Sequence, residues 1–227
     1  MSKQRSFTKK EMKKDSLVVG YYRAVQLYEQ YKSYVNWALV VLVVAVVAII
    51  FFINNRQVEN EKASLALAKI MPAYENGMYD DAMNGSPGTG LMGLKEIVSQ
   101  YGSTENGQTA KVLLANAYFF KDNLDSALIL YKDFGGDNEM MVAAAYAGKA
   151  SVFEAQQKHE DAADMFVQAS SVSKSNPLNP KYIINAAINF IEIGKIEKAR
   201  EMLKQVKKDY KTSPYIRDAD RYLLQTE

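Results

Sequence analysis

A run of uncharged apolar residues near the start of the chain limits what it can fold into more than any other feature. From Ala38 to Ile53 every residue is apolar, and Trp37 extends the run to 17 residues. A helix of this length measures about 25 Å at about 1.5 Å per residue, which just crosses the apolar core of a bilayer. A buried core helix is the alternative, but the run predicts a transmembrane helix.

The residues on either side of the run indicate an uncleaved anchor. The run begins far from the start, and the polar segment 54–57 follows it without the small-residue pattern of a cleavage site. Positive charges lie on both sides of the run, so they do not determine the orientation of the helix in the membrane. The basic tail favours a cytoplasmic amino terminus. We therefore predict a basic cytoplasmic tail with an amphipathic helix at 1–35, a transmembrane helix at 36–54 and an extracytoplasmic domain at 55–227. The tail charges are Lys3, Arg5, Lys9, Lys10, Lys13 and Lys14.

The segment before the run has the spacing of an amphipathic helix. Leu17, Tyr21, Ala24, Tyr28 and Tyr31 follow one another at three or four residues. Two placements are open for such a helix. It lies on an anionic headgroup layer, which is the placement we expect, or it docks on a membrane partner.

Composition and charge exclude several classes of function. The chain has no cysteine and one histidine, which excludes a disulfide framework and Cys-ligated metal centres. Residues 1–53 carry 8 Lys+Arg against 3 Asp+Glu, which leaves 20 against 23 for the rest of the chain. A main domain without an excess of basic residues is not expected to bind nucleic acid. We expect no enzymatic activity, no cofactor, no nucleic-acid partner and no small-molecule substrate.

A repeat of 35 to 37 residues organises the larger part of the chain. Alignment of the segments that begin at Gln108, Ala143 and Pro180 matches small and large apolar residues in four columns. Small residues let two helices approach, and the aromatic residues fill the gap to the next pair, so the pattern predicts units of two helices and a turn. The columns are Ala115, Ala150 and Ala187; Tyr118, Phe153 and Phe190; Ala127, Ala162 and Ala199; and Tyr131, Phe166 and Leu203.

Partial units flank the three matched ones. Residues 91–102 align with a second helix and place Leu94 in the column of Ala127, while the first helix of that unit falls at about 58–74, with Tyr74 in the column of Tyr118. The glycine-rich segment 84–90 absorbs the extra residues, and we interpret it as a flexible connector because no phosphate-binding motif accompanies it. Residues 215–225 have the spacing of a capping helix.

The first helix of each pair supplies the candidate binding site. Arrays of helix pairs usually bind partners on the concave surface that these helices line. The lining is more apolar than charged, so it is either a protein-binding groove or a contact with a neighbouring or capping helix. His159 is interpreted as a packing residue. The candidate groove residues are Val112, Asn116, Phe119, Phe120, Ala147, Ser151, Glu154, Lys181, Ile184, Ile188 and Ile191.

These columns resemble the tetratricopeptide repeat over about residues 108–213. The family pattern has a small residue, an aromatic, an alanine and a second aromatic at these places, although Lys111, Tyr146 and Ile183 stand where it has tryptophan. The resemblance implies an all-α fold in which an amphipathic helix and a single transmembrane helix precede a tetratricopeptide-repeat solenoid.

The tail, the single span and the repeats together are similar to the ancillary subunit of the bacterial Sec translocon. That resemblance implies a non-enzymatic protein of the inner membrane whose repeats lie in the periplasm. Its partners would be translocon subunits, periplasmic chaperones or exported chains, besides membrane lipid. The alternative function is an envelope scaffold that organises cell-division or cell-wall enzymes.

Overall fold

A computed structural model describes residues 9–86, 88 and 90–226, so Lys3 and Arg5 of the predicted tail lie outside the described residues. Helices make up most of this part of the chain. A pair of two-residue strands and a closing 3-10 helix complete it. The helices are α1 (Lys9–Glu75), α2 (Tyr79–Asn84), α3 (Leu94–Tyr101), α4 (Glu105–Phe120), α5 (Leu124–Lys132), α6 (Glu139–Ala155), α7 (His159–Ser171), α8 (Asn179–Glu192), α9 (Ile196–Asp209) and α10 (Ile216–Leu223), with β1 (Gly85–Ser86), β2 (Leu91–Met92) and the 3-10 helix Leu224–Thr226.

Helix α1 joins three segments that the sequence analysis kept apart. The amphipathic segment, the apolar run and the first helix of the repeats form one helix of 67 residues. The polar residues at 54–57 are compatible with a helix, and Pro72, which lies near the end of α1, is the only proline in it. The chain divides into two compact units, Met1–Asn55 and Arg56–Glu227, and α1 contributes residues to both.

The apolar run is exposed along its whole length. Trp37 has 68% and Phe52 has 74% of its surface accessible, and the most apolar 18-residue stretch of the helix is 0% buried. A core helix of a globular protein would instead be covered by its neighbours. By its length and composition, helix α1 is long enough and apolar enough to cross a membrane.

The same left-handed turn ends the first helix of four successive pairs. The residue with positive φ is Gly77 (74°), Asp122 (59°), Gln157 (59°) or Gly194 (72°). In each case the N–H of the following residue donates to the carbonyl oxygen five residues earlier, at 2.8–2.9 Å. This is the hydrogen bond of a Schellman motif, which closes a helix by satisfying one of its last carbonyl groups. The turn recurs although glycine occupies it only twice.

A buried alanine follows each turn after five residues. Ala82, Ala127, Ala162 and Ala199 all have no accessible surface. The predicted burial of the last three alanines is confirmed. The first helix pair differs from the sequence alignment. The residue five places after its turn is Ala82, whereas the alignment placed Leu94 in the column of Ala127.

A short hairpin splits the second helix of the first pair into α2 and α3. Gly85 pairs with Met92 and Ser86 with Leu91 in antiparallel register, so the segment interpreted as a flexible connector contains strand β1. Gly85 has a φ of 68°, and a Cβ added there would lie 2.1 Å from the backbone oxygen of Leu91. Glycine is therefore required at the base of the hairpin.

Four buried apolar clusters follow one another through the Arg56–Glu227 unit. The first packs Ala63, Leu67 and Ile70 of α1 against α2, α3 and α4. The second joins α4 to α5 and α6, and the third joins α6 to α7 and α8. The last cluster joins α7 and α8 to α9 and α10. Each helix pair is thus stabilised mainly by the pair before it and the pair after it.

Replacing Ala162 with leucine should destabilise this unit by about 1–3 kcal/mol, because the added methylene groups meet closely packed helices. Urea unfolding of a fragment that begins at Arg56 measures the change. Ala68→Leu is the matched control, since Ala68 is exposed on α1. A leucine at residue 162 that leaves the unfolding midpoint unchanged would contradict the close helix contact.

Candidate functional site

The predicted groove residues lie on α4, α6 and α8, and they differ widely in exposure. Val112 and Ile184 are each 3% exposed, and they belong to the clusters that hold α4 and α8 in place. These two side chains stabilise the helix pairs and are not available to a partner. Lys181 is exposed, whereas Ala147 and Ser151 are half-buried.

An aromatic patch forms where the first two helix pairs meet. It consists of Tyr74 at the end of α1, Tyr79 at the start of α2, and Phe119 and Phe120 at the end of α4. The Phe120 ring stacks on Tyr79 with centroids 5.0 Å apart and an interplanar angle of 13°, and Tyr79 meets Tyr74 edge-on at 5.7 Å. Phe119 contacts Phe120 at 5.8 Å and is half-buried against the second cluster.

Phe120 is the most exposed member of the aromatic patch, with 58% of its surface accessible. Its ring is fixed on one face by Tyr79 and on an edge by Phe119. Aromatic side chains that are already ordered lose little entropy when a partner covers them, which is why they are enriched at protein interfaces. The aromatic patch is therefore the best candidate contact surface among the predicted groove residues.

Asn116 is hydrogen-bonded to two tyrosine hydroxyl groups, one of which belongs to Tyr74 of the aromatic patch. Tyr131 donates a hydrogen bond to Asn116 Oδ1, and Tyr74 is also hydrogen-bonded to Asn116. Burial raises the pKa of Tyr131 well above its ordinary value. Burial likewise raises the pKa of Tyr74, although its hydrogen bond to Asn116 acts in the opposite direction. Both hydroxyl groups remain neutral at pH 7, so Asn116 has a structural role here.

Glu154 belongs to a polar network around a buried asparagine. Asn189 has no accessible surface, and its Nδ2 donates to Glu154 Oε1 at 3.0 Å and to the Asn185 backbone oxygen at 2.9 Å. Its Oδ1 lies 2.8 Å from His159 Nδ1. The network connects α6, α7 and α8 and satisfies the polar atoms of the buried amide. His159 thus makes a specific hydrogen bond between helices.

The predicted lining on α8 packs partly against the last buried cluster, to which helix α10 also contributes. Ile188 and Ile191 are half-buried against the last cluster, together with Ile216 and Tyr222 of α10. A recess of about 130 Å³ remains between α8 and α10. Such a volume is below the size of ordinary ligand pockets. Of these isoleucines, Ile188 lines the recess together with Tyr215 and Tyr222.

Tyr79 and Asn189 were not among the residues predicted from the sequence, and Tyr74 was aligned one position away from its place in the structure. A usable signal was present, because glycine at residue 77 and alanine at residue 82 repeat the spacing of Gly194 and Ala199. With that spacing, Tyr74 aligns with Phe119 and not with Tyr118. The aromatic patch then joins equivalent ends of two successive first helices.

No protein-family model, curated protein or solved structure matches this chain. Among the described residues, no group of three or more His, Asp and Glu side chains is placed to hold a metal ion. The helix pairs, the aromatic patch and the exposed apolar run are therefore the features of the molecule that bear on its function.

Proposed function

We propose that this chain is a single-pass membrane protein that displays tetratricopeptide-type helix pairs for binding other proteins. More specifically, it is a non-enzymatic ancillary subunit of the Sec translocon, with its repeats in the periplasm and in contact with exported chains or chaperones. It is anchored in the inner membrane by residues 36–54.

The repeated turn is the observation that carries this proposal. Four turns of the same hydrogen-bond geometry, each followed after five residues by a fully buried alanine, favour an array of equivalent units over an irregular helical domain. Such arrays function mainly as protein-binding surfaces. The exposed apolar run supports a membrane location for the array.

The partners can be identified by purifying the full-length chain from detergent-solubilised membranes and analysing co-purified proteins by mass spectrometry. Recovery of channel subunits is expected under the proposal. Recovery of division proteins or wall synthases in their place would support the envelope scaffold instead. Purification of the chain without either class would contradict both functions.

Substitution of Phe120 by serine should reduce recovery of the partner about tenfold, because an ordered aromatic residue at an interface contributes about 1.4 kcal/mol or more to binding. The fold should be nearly unaffected, since Phe120 is 58% exposed. Ile129→Ser is the matched control, because Ile129 is 65% exposed but lies on α5, a second helix. Equal losses from both variants, or no loss from the Phe120 variant, would remove the aromatic patch from the binding site.

The proposed topology predicts that protease added to intact spheroplasts digests the repeats. The basic tail should resist translocation and keep the amino terminus inside, while a long domain crosses regardless of its charge. An epitope tag after residue 227 should disappear, and a tag before residue 1 should be protected. The reverse pattern would show that the repeats are cytoplasmic.

A further inference from the structure

A recess of about 560 Å³ is lined by α9, α10 and the closing 3-10 helix. Helix α9 supplies three basic side chains, and the other two elements supply one carboxylate, two leucines and a threonine. Ordinary ligand pockets have volumes of about 300–1,000 Å³, so the recess is large enough for a small ligand. We name it the basic recess, and the described residues that line it are Arg200, Lys204, Lys207, Asp220, Leu223, Leu224 and Thr226.

The three cations lie on one side of α9. Arg200, Lys204 and Lys207 are separated by four and then three residues, which is the spacing of neighbours on a helix surface. On another side of the same helix, Ala199 and Val206 have no accessible surface and belong to the last buried cluster. Burial of that side fixes the rotation of α9 about its axis. The basic side is therefore held at the recess by the packing of the helix.

A buried threonine orients the guanidinium group of Arg200. The Thr226 hydroxyl group is 2% exposed as a residue, donates to the Leu223 backbone oxygen at 2.7 Å and accepts from Arg200 Nε at 3.4 Å. A guanidinium group has five N–H donors, and this contact uses one of them. Within the described part of the chain, the donors on its two terminal nitrogens have no hydrogen-bond or ion-pair partner. They are available to a ligand with several acceptor oxygens.

The lining of the basic recess has an uncompensated positive charge. Lys207 forms an ion pair with Asp220 at 2.7 Å, whereas Lys204 has no ion pair with any residue that the structure describes. Three cations and one carboxylate give the described lining a net charge of +2. A concave surface lined by one sign of charge focuses its field and concentrates ions of the opposite sign. The lining is thus complementary to a ligand that carries two negative charges.

The rest of the Arg56–Glu227 unit does not share this excess of positive charge. Residues 195–226 carry 9 Lys+Arg against 5 Asp+Glu, whereas residues 54–194 carry 11 against 17. The two carboxylates of α9 closest to Arg200 in sequence, Glu197 and Glu201, do not line the recess. Positive charge is therefore concentrated on the last helix pair and at this concave surface of it.

We propose that the basic recess binds a soluble phosphate monoester. Such a group carries a charge of about −1.5 to −2 at pH 7 and has three strong acceptor oxygens. Arginine donates to phosphate oxygens with two N–H groups at once, and lysine adds a point charge. A carboxylate or a phosphodiester has one negative charge and matches the recess less well. Leu223 and Leu224, the latter 70% exposed, offer apolar surface to the organic part of the ester. Binding there requires neither the proposed protein partner nor the membrane span.

Titration calorimetry of the full-length chain in detergent tests the proposal with methyl phosphate, and dimethyl phosphate is the matched ligand with a single charge. Methyl phosphate should bind at one site and at least about tenfold more tightly, because the diester loses one charge-assisted interaction. Equal affinities, or no saturable binding of methyl phosphate, would overturn the proposal.

The pH dependence distinguishes the dianion from a general attraction of anions. A phosphate monoester loses its second proton near pH 6, so its affinity should rise roughly fivefold or more between pH 5 and pH 7.5. Sulfate is the control, because it is doubly charged at both pH values and reports any change in the protein itself. An equal change for both ligands, or a fall in methyl phosphate affinity, would contradict binding of the dianion.

Substitutions locate the site. Lys204→Gln and Arg200→Gln should each weaken methyl phosphate binding about tenfold, as expected for the loss of a hydrogen bond between charged groups. Lys208→Gln is the matched control, because Lys208 is exposed on α9 and does not line the basic recess. It should change the affinity by less than about twofold, since an exposed charge away from the ligand is screened. Equal losses from the Lys204 and Lys208 variants would reduce the binding to an adventitious ion only.

Two competing occupants of the basic recess have their own tests. Residue 227 follows Thr226 and lies outside the described residues, and Glu227→Gln should leave the affinity for methyl phosphate unchanged. A large gain in affinity would overturn the proposal and assign the recess to that carboxylate. The lipid phosphatidic acid carries the same phosphate monoester. If the chain in nanodiscs loses methyl phosphate binding when phosphatidic acid replaces part of a neutral lipid, the ligand is a headgroup and not a soluble ester.

Discussion

Replacing Gly107 by alanine should destabilise the Arg56–Glu227 unit by roughly 3 kcal/mol or more. Gly107 lies in the first turn of α4, and a Cβ added there would be 1.7 Å from the backbone oxygen of Tyr101 at the end of α3. Alanine has a higher helix propensity by about 1 kcal/mol, which acts in the opposite direction. The steric effect is larger because the atom in the way is backbone and cannot rotate aside.

Urea unfolding of the fragment that begins at Arg56 measures this effect. Gly135→Ala is the control, because nothing lies within 4 Å of a Cβ at residue 135. The control should change the free energy of unfolding by less than about 0.5 kcal/mol, as expected for surface positions. If the Gly107 variant is as stable as the natural fragment, α3 and α4 do not approach each other as closely as they do in the structure.

Replacing Phe190 by alanine should cost about 3–5 kcal/mol, since a fully buried phenylalanine leaves a large cavity. Phe190 on α8 has no accessible surface, and it belongs to the cluster that joins α7, α8, α9 and α10. The Lys198 ammonium group lies 3.8 Å from its ring centroid, so a cation–π contact is also lost. Thermal unfolding of the same fragment should show a decrease of about 10 °C.

Phe120→Ala is the matched control for Phe190, because it removes the same side chain from a position that is 58% exposed. Its effect should stay below about 1 kcal/mol. Similar losses at the two positions would mean that the aromatic patch is part of the core and not a contact surface. A small loss at Phe190 would contradict the packing of the last helix pairs.

Much of the helix pairing could be predicted from residue type and spacing. Small residues at positions 115, 150 and 187 and at 127, 162 and 199 are all fully buried, because two helices can approach closely only where side chains are small. The apolar run was equally predictable, since its length and composition are those of a helix that could cross a membrane. These features depend on local spacing, which a single sequence contains.

Features that depend on distant contacts were not predictable in the same way. The split between α2 and α3 depends on Gly85 and Gly93 lying against backbone from the other side of the hairpin. The partial burial of Ile188 and Ile191 depends on how α7, α8, α9 and α10 pack in the last cluster, which the spacing within α8 does not specify. The lining of a groove and the core of a capping contact have the same apolar composition, so only the packing separates them.

The order of the contacts has a consequence for how the Arg56–Glu227 unit folds. Among α2 to α10, the main contacts join elements that are one or two places apart along the chain. Domains dominated by such local contacts fold in about microseconds to milliseconds, because little chain has to be closed into loops before contacts form. A helix pair in this arrangement can fold as soon as the next pair is available. Folding can therefore keep pace with the appearance of the chain from its amino end, and does not have to wait for residue 227.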